Sequence, residues 1–158
     1  MNDFYINLAL KEANKAYLKN EVPVGAIIVR NGEIISKAHN SKTHTHDIFN
    51  HAEIIAIKKA IKKIGDWRLN DCEMYVTLEP CPMCASAIQQ SRIKKIYIGT
   101  SSNILSNGEI VSKIFNNGDF YHQVESFYLN NKECSKILTN FFTNKRWNLL
   151  IFLSFDRK

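Results

Sequence analysis

The sequence predicts an α/β sandwich, in which helices cover both faces of a mixed sheet. Three observations lead there. Stretches of β-branched or alternating hydrophobicity take turns with stretches of helical period along the 158 residues. Asn31-Gly32 lies between two apolar runs and marks a tight hairpin, so one strand pair is antiparallel. A strand-helix-strand unit over 73–99 requires a parallel pair joined by a right-handed crossover. The length suits one domain over 1–158 with a sizeable core, and no linker, internal repeat or low-complexity segment divides it.

Each element has its own signal. Phe4, Leu8, Ala9, Glu12, Ala13 and Ala16 share one helical face, which predicts an amphipathic helix ending near Lys19-Asn20. Val22–Arg30 reads as a strand and Glu33–Ala38 as its hairpin partner. Asn40–Asn50 is polar and irregular. Ile54, Ile57, Ile61 and Ile64 form the apolar stripe of a helix that begins near His51 and stops at Gly65. Its outer face carries Lys58, Lys59, Lys62 and Lys63. Glu73–Leu78 alternates as a third strand. Pro82–Ser91 is a helix with proline suited to its first turn, and Ile93–Gly99 is a fourth strand. Ser101–Gly108 reads as a loop, Ile110–Phe115 as a short helix and Tyr121–Phe127 as a fifth strand. Cys134, Ile137, Leu138, Phe141 and Phe142 repeat at helical spacing within a helix over Asn130–Lys145.

Composition narrows the function classes. Hydrophobic residues make up 45% and charged residues 23%, ordinary values for a soluble domain. The net charge of +6 favours a polyanionic partner, although most lysine runs are solvated faces. Four cysteines at uneven spacing do not make a disulfide scaffold, and thiolate metal ligands need a reducing compartment. Met1-Asn2-Asp3-Phe4 lacks the start of a secretory signal. The longest apolar run, Leu149–Leu153, is too short to span a bilayer. A cytoplasmic protein is expected.

The chemistry concentrates in Pro80-Cys81-Pro82-Met83-Cys84 and in His51-Ala52-Glu53 upstream. Two thiols three apart can hold one ion from a single helical turn, and His51 can supply a third donor. A helix start stabilises thiolates through its free N–H groups and dipole. His51 and Glu53 open another helix, and in a first turn both side chains can lean toward a shared point. Three ligands leave zinc one open position for a water, whose proton Glu53 can take. An activated water of this kind can add to an electrophilic carbon, and Glu53 can return the proton to the leaving group. The competing reading is a closed Cys2His2 structural site with His39, His44, His46 or Cys72 as fourth ligand. Such a site does not require an acid two residues from the histidine. His39 and His122 read otherwise as surface or satisfied histidines, and Cys72 and Cys134 as packing residues.

The pattern H-x-E…P-C-x-x-C is the known signature of zinc nucleobase deaminases. At Glu21-Val-Pro-Val-Gly-Ala26, Asn50-His-Ala-Glu-Ile54 and Tyr75-Val-Thr-Leu-Glu-Pro-Cys-Pro-Met-Cys84 the chain resembles the zinc-dependent, cytidine/deoxycytidylate deaminase-like family. Within that family it looks most like the bacterial tRNA adenosine deaminases. The resemblance implies a three-layer α/β/α sandwich with about five strands, Zn2+ at His51, Cys81 and Cys84, and Glu53 as catalytic acid/base. It also implies that Asn40 hydrogen-bonds the base and that Val24 and Ala52 line the base pocket. The activity implied is adenosine-to-inosine conversion at the wobble position of a tRNA anticodon, by a homodimer. The same framework serves deaminases of a free base, nucleoside or nucleotide, such as guanine, cytosine, CMP or dCMP. A non-catalytic zinc module that binds nucleic acid or a subunit is a third reading, against which Glu53 argues. Two departures stand out. Ser102-Asn103-Ile104-Leu105-Ser106 replaces an Asp-x-Lys-x-Gly run that meets the substrate strand in the family. The tail, with Trp147, Leu149, Leu150, Ile151, Phe152, Leu153 and Phe155, is unusually apolar and can pack on the domain or on a second subunit.

Overall fold

The computed structural model describes residues 2–101, 108–118 and 122–155, the stretch 146–155 as backbone alone. The chain opens with α1 (Asn2–Leu18), the hairpin β1 (Gly25–Arg30) and β2 (Glu33–His39), and a short α2 (Lys42–Thr45). Next come α3 (Ala52–Ile64), β3 (Cys72–Leu78), α4 (Pro82–Gln90) and β4 (Lys95–Thr100). Then follow α5 (Gly108–Asn116), β5 (Glu125–Tyr128) and α6 (Lys132–Phe155). The strands form one five-stranded sheet in the order β2-β1-β3-β4-β5. β1 is antiparallel to β2 and β3, while β3-β4 and β4-β5 are parallel. The expected mixed sheet between helical layers is the architecture found.

Local chemistry explains the main turns. Asn31 and Gly32 take φ of 51° and 81°, the left-handed pair that a two-residue hairpin needs, and Arg30 pairs directly with Glu33. Gly65 ends α3 at φ 79°. Pro23 has no N–H for a ladder, so β1 begins two residues after it rather than at Val22.

The central strands are buried on both faces, which is why β1 reads as an unbroken apolar run. Ala26 and Ile28 join one core with Ala56, Ala60, Ile88, Val111 and Phe115 from α3, α4 and α5. Ile27, Val29 and Tyr75 join the other with Tyr5, Ile6 and Ala9 of α1 and Cys134 of α6. Across the second face, Tyr75, Tyr97 and Phe127 are register partners on β3, β4 and β5, and their rings stack at 4.5 and 5.1 Å.

Further expectations need adjusting, among them the fifth strand, which spans Glu125–Tyr128 rather than starting at Tyr121. The 40–50 stretch contains α2, a single turn too short to show a period. α6 continues to Phe155 rather than stopping at Lys145, since no Gly or Pro interrupts it. β4 starts at Lys95, because Arg92 adopts a left-handed turn (φ 61°) first. Ser102–Ser106 and the side chains of the apolar tail lie outside the described residues.

The topology gathers several ends at one edge of the sheet. The first residue of β1, Gly25, pairs with His39 at the end of β2 and donates its N–H to Thr77 Oγ1 near the end of β3 (3.1 Å). Glu79 N–H donates to Thr100 O at the end of β4 (2.9 Å). Both helices that follow this edge, α3 and α4, begin there, as ligand sites in open α/β sheets do.

Candidate active site

His51 is the N-cap of α3 and Cys81 the N-cap of α4. Both have extended backbones (φ −76°, ψ 151° and φ −72°, ψ 166°), and neither uses its side chain to cap. Their carbonyls take the helical bonds from Ile55 and Ala85, at 3.0 and 2.9 Å. The imidazole and thiol are thereby free to point past their helix ends. Pro82 pre-sets the first turn of α4, and Cys84 follows on the same turn.

His51 Nδ1 lies 3.5 Å from Cys84 Sγ and 3.7 Å from Cys81 Sγ. One ligand atom from each of the three falls within 4.8 Å of the others. Two thiols and an imidazole are a zinc donor set. A tetrahedral ion at ordinary bond lengths would separate nitrogen from sulfur by about 3.6 Å, so the residues fit it. Among the described residues no fourth His, Cys, Asp or Glu joins the group. His39 instead meets Glu12 Oε2 and Lys19 Nζ, both at 3.2 Å. Cys72 is sealed in the core at the far end of β3, and His44 and His46 are exposed around α2. The closed four-ligand alternative therefore finds no partner among the residues considered for it.

Glu53 is 3% exposed and its carboxyl meets the Cys84 thiol. Burial raises its pKa to about 7, against its own backbone N–H and the charge on His51. That value suits a group that must both take and give a proton near neutrality. The hydrogen bond with Cys84 brings the Cys81 thiol down to about 4 against burial, with help from His51. Cys84 is raised by that same bond with Cys81 and by burial. The bond with Cys81 also raises His51.

Asn40 follows β2 and is 7% exposed, so it is no solvated turn residue. Its Nδ2 donates to Glu21 Oε2 (3.4 Å) and Val22 O (3.3 Å), and its N–H to Val24 O (3.0 Å). Val24 and Ala52 are buried in the core that underlies α3. Ser41 N–H donates to Asn50 O (3.0 Å), which closes the loop that leads into His51. The basic face of α3 behaves differently. Lys59 donates to Lys37 O, and Lys63 to Glu33 and Ile34 O, which ties both to β2. Lys62 and Lys63 occupy the last turn, at the end of α3 away from His51. Residue patterns passed over Glu21, 1% exposed, and Glu79, 6% exposed, which accepts from Tyr128 Oη. The signal for Glu21 was a lone carboxylate heading an apolar strand.

Fold and site together define a class: an α/β protein with a three-donor zinc site, one coordination position left open and a buried carboxylate beside it. Residues 1–100 match the cytidine and deoxycytidylate deaminase zinc-binding region, and the chain belongs to that family. It is 43% identical over 150 residues to the tRNA-specific adenosine deaminase of Aquifex aeolicus, covering 94% of this chain and 98% of that one. The corresponding Bacillus subtilis enzyme is 40% identical over 146 residues, covering 92% and 91%. A structure solved in a study of A-to-I editing by tRNA:A34 deaminases superposes with a TM-score of 0.80 at 35% identity, over 86% of this chain and 99% of that one. The Bacillus subtilis guanine deaminase structure gives 0.62 at 26% identity, over 89% and 93%.

Proposed function

We propose that the protein hydrolyses adenosine to inosine at the wobble position of a tRNA anticodon. The observation that carries this is the buried Glu53 beside His51, Cys81 and Cys84, in a chain whose 43% identical relative is a tRNA-specific adenosine deaminase. His51, Cys81 and Cys84 would hold zinc, which would lower the pKa of a water toward ~7. Glu53 takes a proton from the attacking water as its oxygen adds to the carbon bearing the amine. The carboxyl passes the proton to the ring nitrogen and assists departure of the amine, so water and adenosine give inosine and ammonia. Asn40 holds the base by hydrogen bonding, and Val24 and Ala52 form the pocket wall. A wobble base lies in a single-stranded loop and can be splayed into such a pocket at modest unstacking cost.

The protein acts in the cytoplasm as a homodimer in this reading. Light scattering at micromolar concentration should give twice the chain mass of 18.2 kDa, and a clean monomer would refute the dimer. A free-base deaminase is the second reading, supported by the likeness to a guanine deaminase. Inosine mapping on total tRNA incubated with the protein separates the two, with adenine, guanine, cytosine and dCMP run in parallel. Inosine at the wobble position is expected. Ammonia from a free base with no inosine in tRNA would move the answer to the second reading.

A further inference from the structure

A carboxylate is costly to bury unless its oxygens are hydrogen-bonded, and Glu21 is 1% exposed. Both its bonds go to the loop that leads into the site. Oε1 accepts the backbone N–H of His44, and Oε2 accepts Asn40 Nδ2 at 3.4 Å. His44 lies in the first turn of α2, where N–H groups lack a helical acceptor. The N-cap residue Ser41 makes no side-chain cap bond, so Glu21 supplies the acceptor from across the fold.

Asn40 is constrained by the same group. Its Nδ2 faces Glu21 Oε2 and, at 3.3 Å, Val22 O. Neither a carboxylate nor a carbonyl oxygen can donate, so only the NH2 end of the amide fits there. The amide is fixed one way round, and Oδ1 is the atom left over. Among the described residues Oδ1 has no partner, and it is not sealed from solvent.

We propose that Glu21 is a positioning residue for the substrate: it locks Asn40 so that the amide offers a carbonyl acceptor, and it pins the 41–50 loop at the same time. The inference rests on Asn40 being a base contact, as proposed above. A fixed acceptor selects a substrate group that donates, an exocyclic amine or a ribose hydroxyl, over a bare ring nitrogen.

A double-mutant cycle on an anticodon stem-loop with adenosine at the wobble position tests this. Glu21→Gln keeps the volume but leaves one acceptor where two are needed, so its NH2 must oppose either the Asn40 amide or the His44 N–H. It should lower kcat/KM about tenfold, the scale of one charge-assisted hydrogen bond, with zinc still at one per chain. Glu21→Asp keeps the charge and should fall between the two. In an Asn40→Ala background the same Glu21→Gln change should cost clearly less than in the wild-type background, because only the His44 contact then remains to be lost. Equal losses in both backgrounds would overturn the positioning role. So would a Glu21→Gln protein that fails to fold, since an isosteric change would then expose a purely structural role. If Asn40→Ala retains full kcat/KM, the base-contact reading fails and takes this inference with it.

Discussion

At the scale of residues, the site turns on separating two jobs among four side chains. His51, Cys81 and Cys84 converge as donors, while Glu53 sits buried beside them with its pKa raised to about 7. A carboxamide in its place keeps shape and hydrogen bonding but cannot carry protons. Glu53→Gln should retain one zinc per chain by metal analysis and lose about 10²–10⁴-fold in turnover, the range of general acid-base catalysis. Loss of the zinc together with the activity would make Glu53 a ligand or a support instead. Replacing His51 by Ala should remove the metal, because two thiols at one helix start leave half a tetrahedron unfilled.

Elements are held in place by close approaches and a few paired charges. Helix α1 lies so near β1 that a Cβ on Gly25 would come 2.0 Å from Ala9 O and 2.6 Å from Ala13 N. Both obstacles are backbone, so the helix itself would have to move. Gly25→Ala should destabilise by at least ~2 kcal/mol in denaturant unfolding, within or above the usual cost of overpacking. The same contact affects function, because Gly25 stands at the edge of the sheet where the site is built. Glu12 on α1 bonds His39 at the end of β2 (3.2 Å) and Lys15 (2.7 Å). Burial opposes its ionisation, but Lys15 and His39 together hold its carboxyl below the ordinary range. A lowered folded pKa means that the stabilisation is present above the unfolded carboxyl pKa and fades as pH falls through the folded one. Glu12→Gln should therefore cost about 1 kcal/mol at pH 7. That difference should vanish in acid, and an equal cost at pH 3 and pH 7 would contradict the ion-pair account.

For the whole molecule, the partner is the open physical question, and salt reads it out. A net charge of +6 attracts a polyanion, yet Lys59 and Lys63 spend their ammonium groups on β2. Phosphate contacts should thus come from the site edge and not from the α3 face. Affinity for the stem-loop should fall with salt at a slope of roughly −0.7 per phosphate contacted. Charge removal at Lys59 should leave that slope unchanged in a binding titration, and a slope reduced by one contact would place the strand across α3. The sequence at 102–106 has neither the acid nor the lysine of the family's strand-contacting run. Discrimination between loops with adenosine at the wobble position and one position away should accordingly be looser than in relatives with that run. No helix among the described residues is long and apolar enough to cross a membrane.

Much of this was written locally in the chain. The Asn31-Gly32 turn, the Gly65 stop, the Pro82 start and the apolar stripe of α3 each follow from dihedral preference or side-chain period, which neighbours in sequence decide. His-x-Glu and Cys-x-x-Cys named the donors because their spacing within each turn is local. The order β2-β1-β3-β4-β5 was not legible, since strand pairing depends on contacts distant in sequence. Nor was α2, whose single turn has no period and whose capping carboxylate comes from Glu21, more than twenty residues away. Only the tertiary structure brought the starts of α3 and α4 to one edge of the sheet and put His51 Nδ1 within 3.5 Å of Cys84 Sγ. It alone gave Glu53 its raised pKa and fixed the Asn40 amide one way round. Burial and hydrogen-bond partners are properties of the packed chain, and no single stretch of sequence contains them.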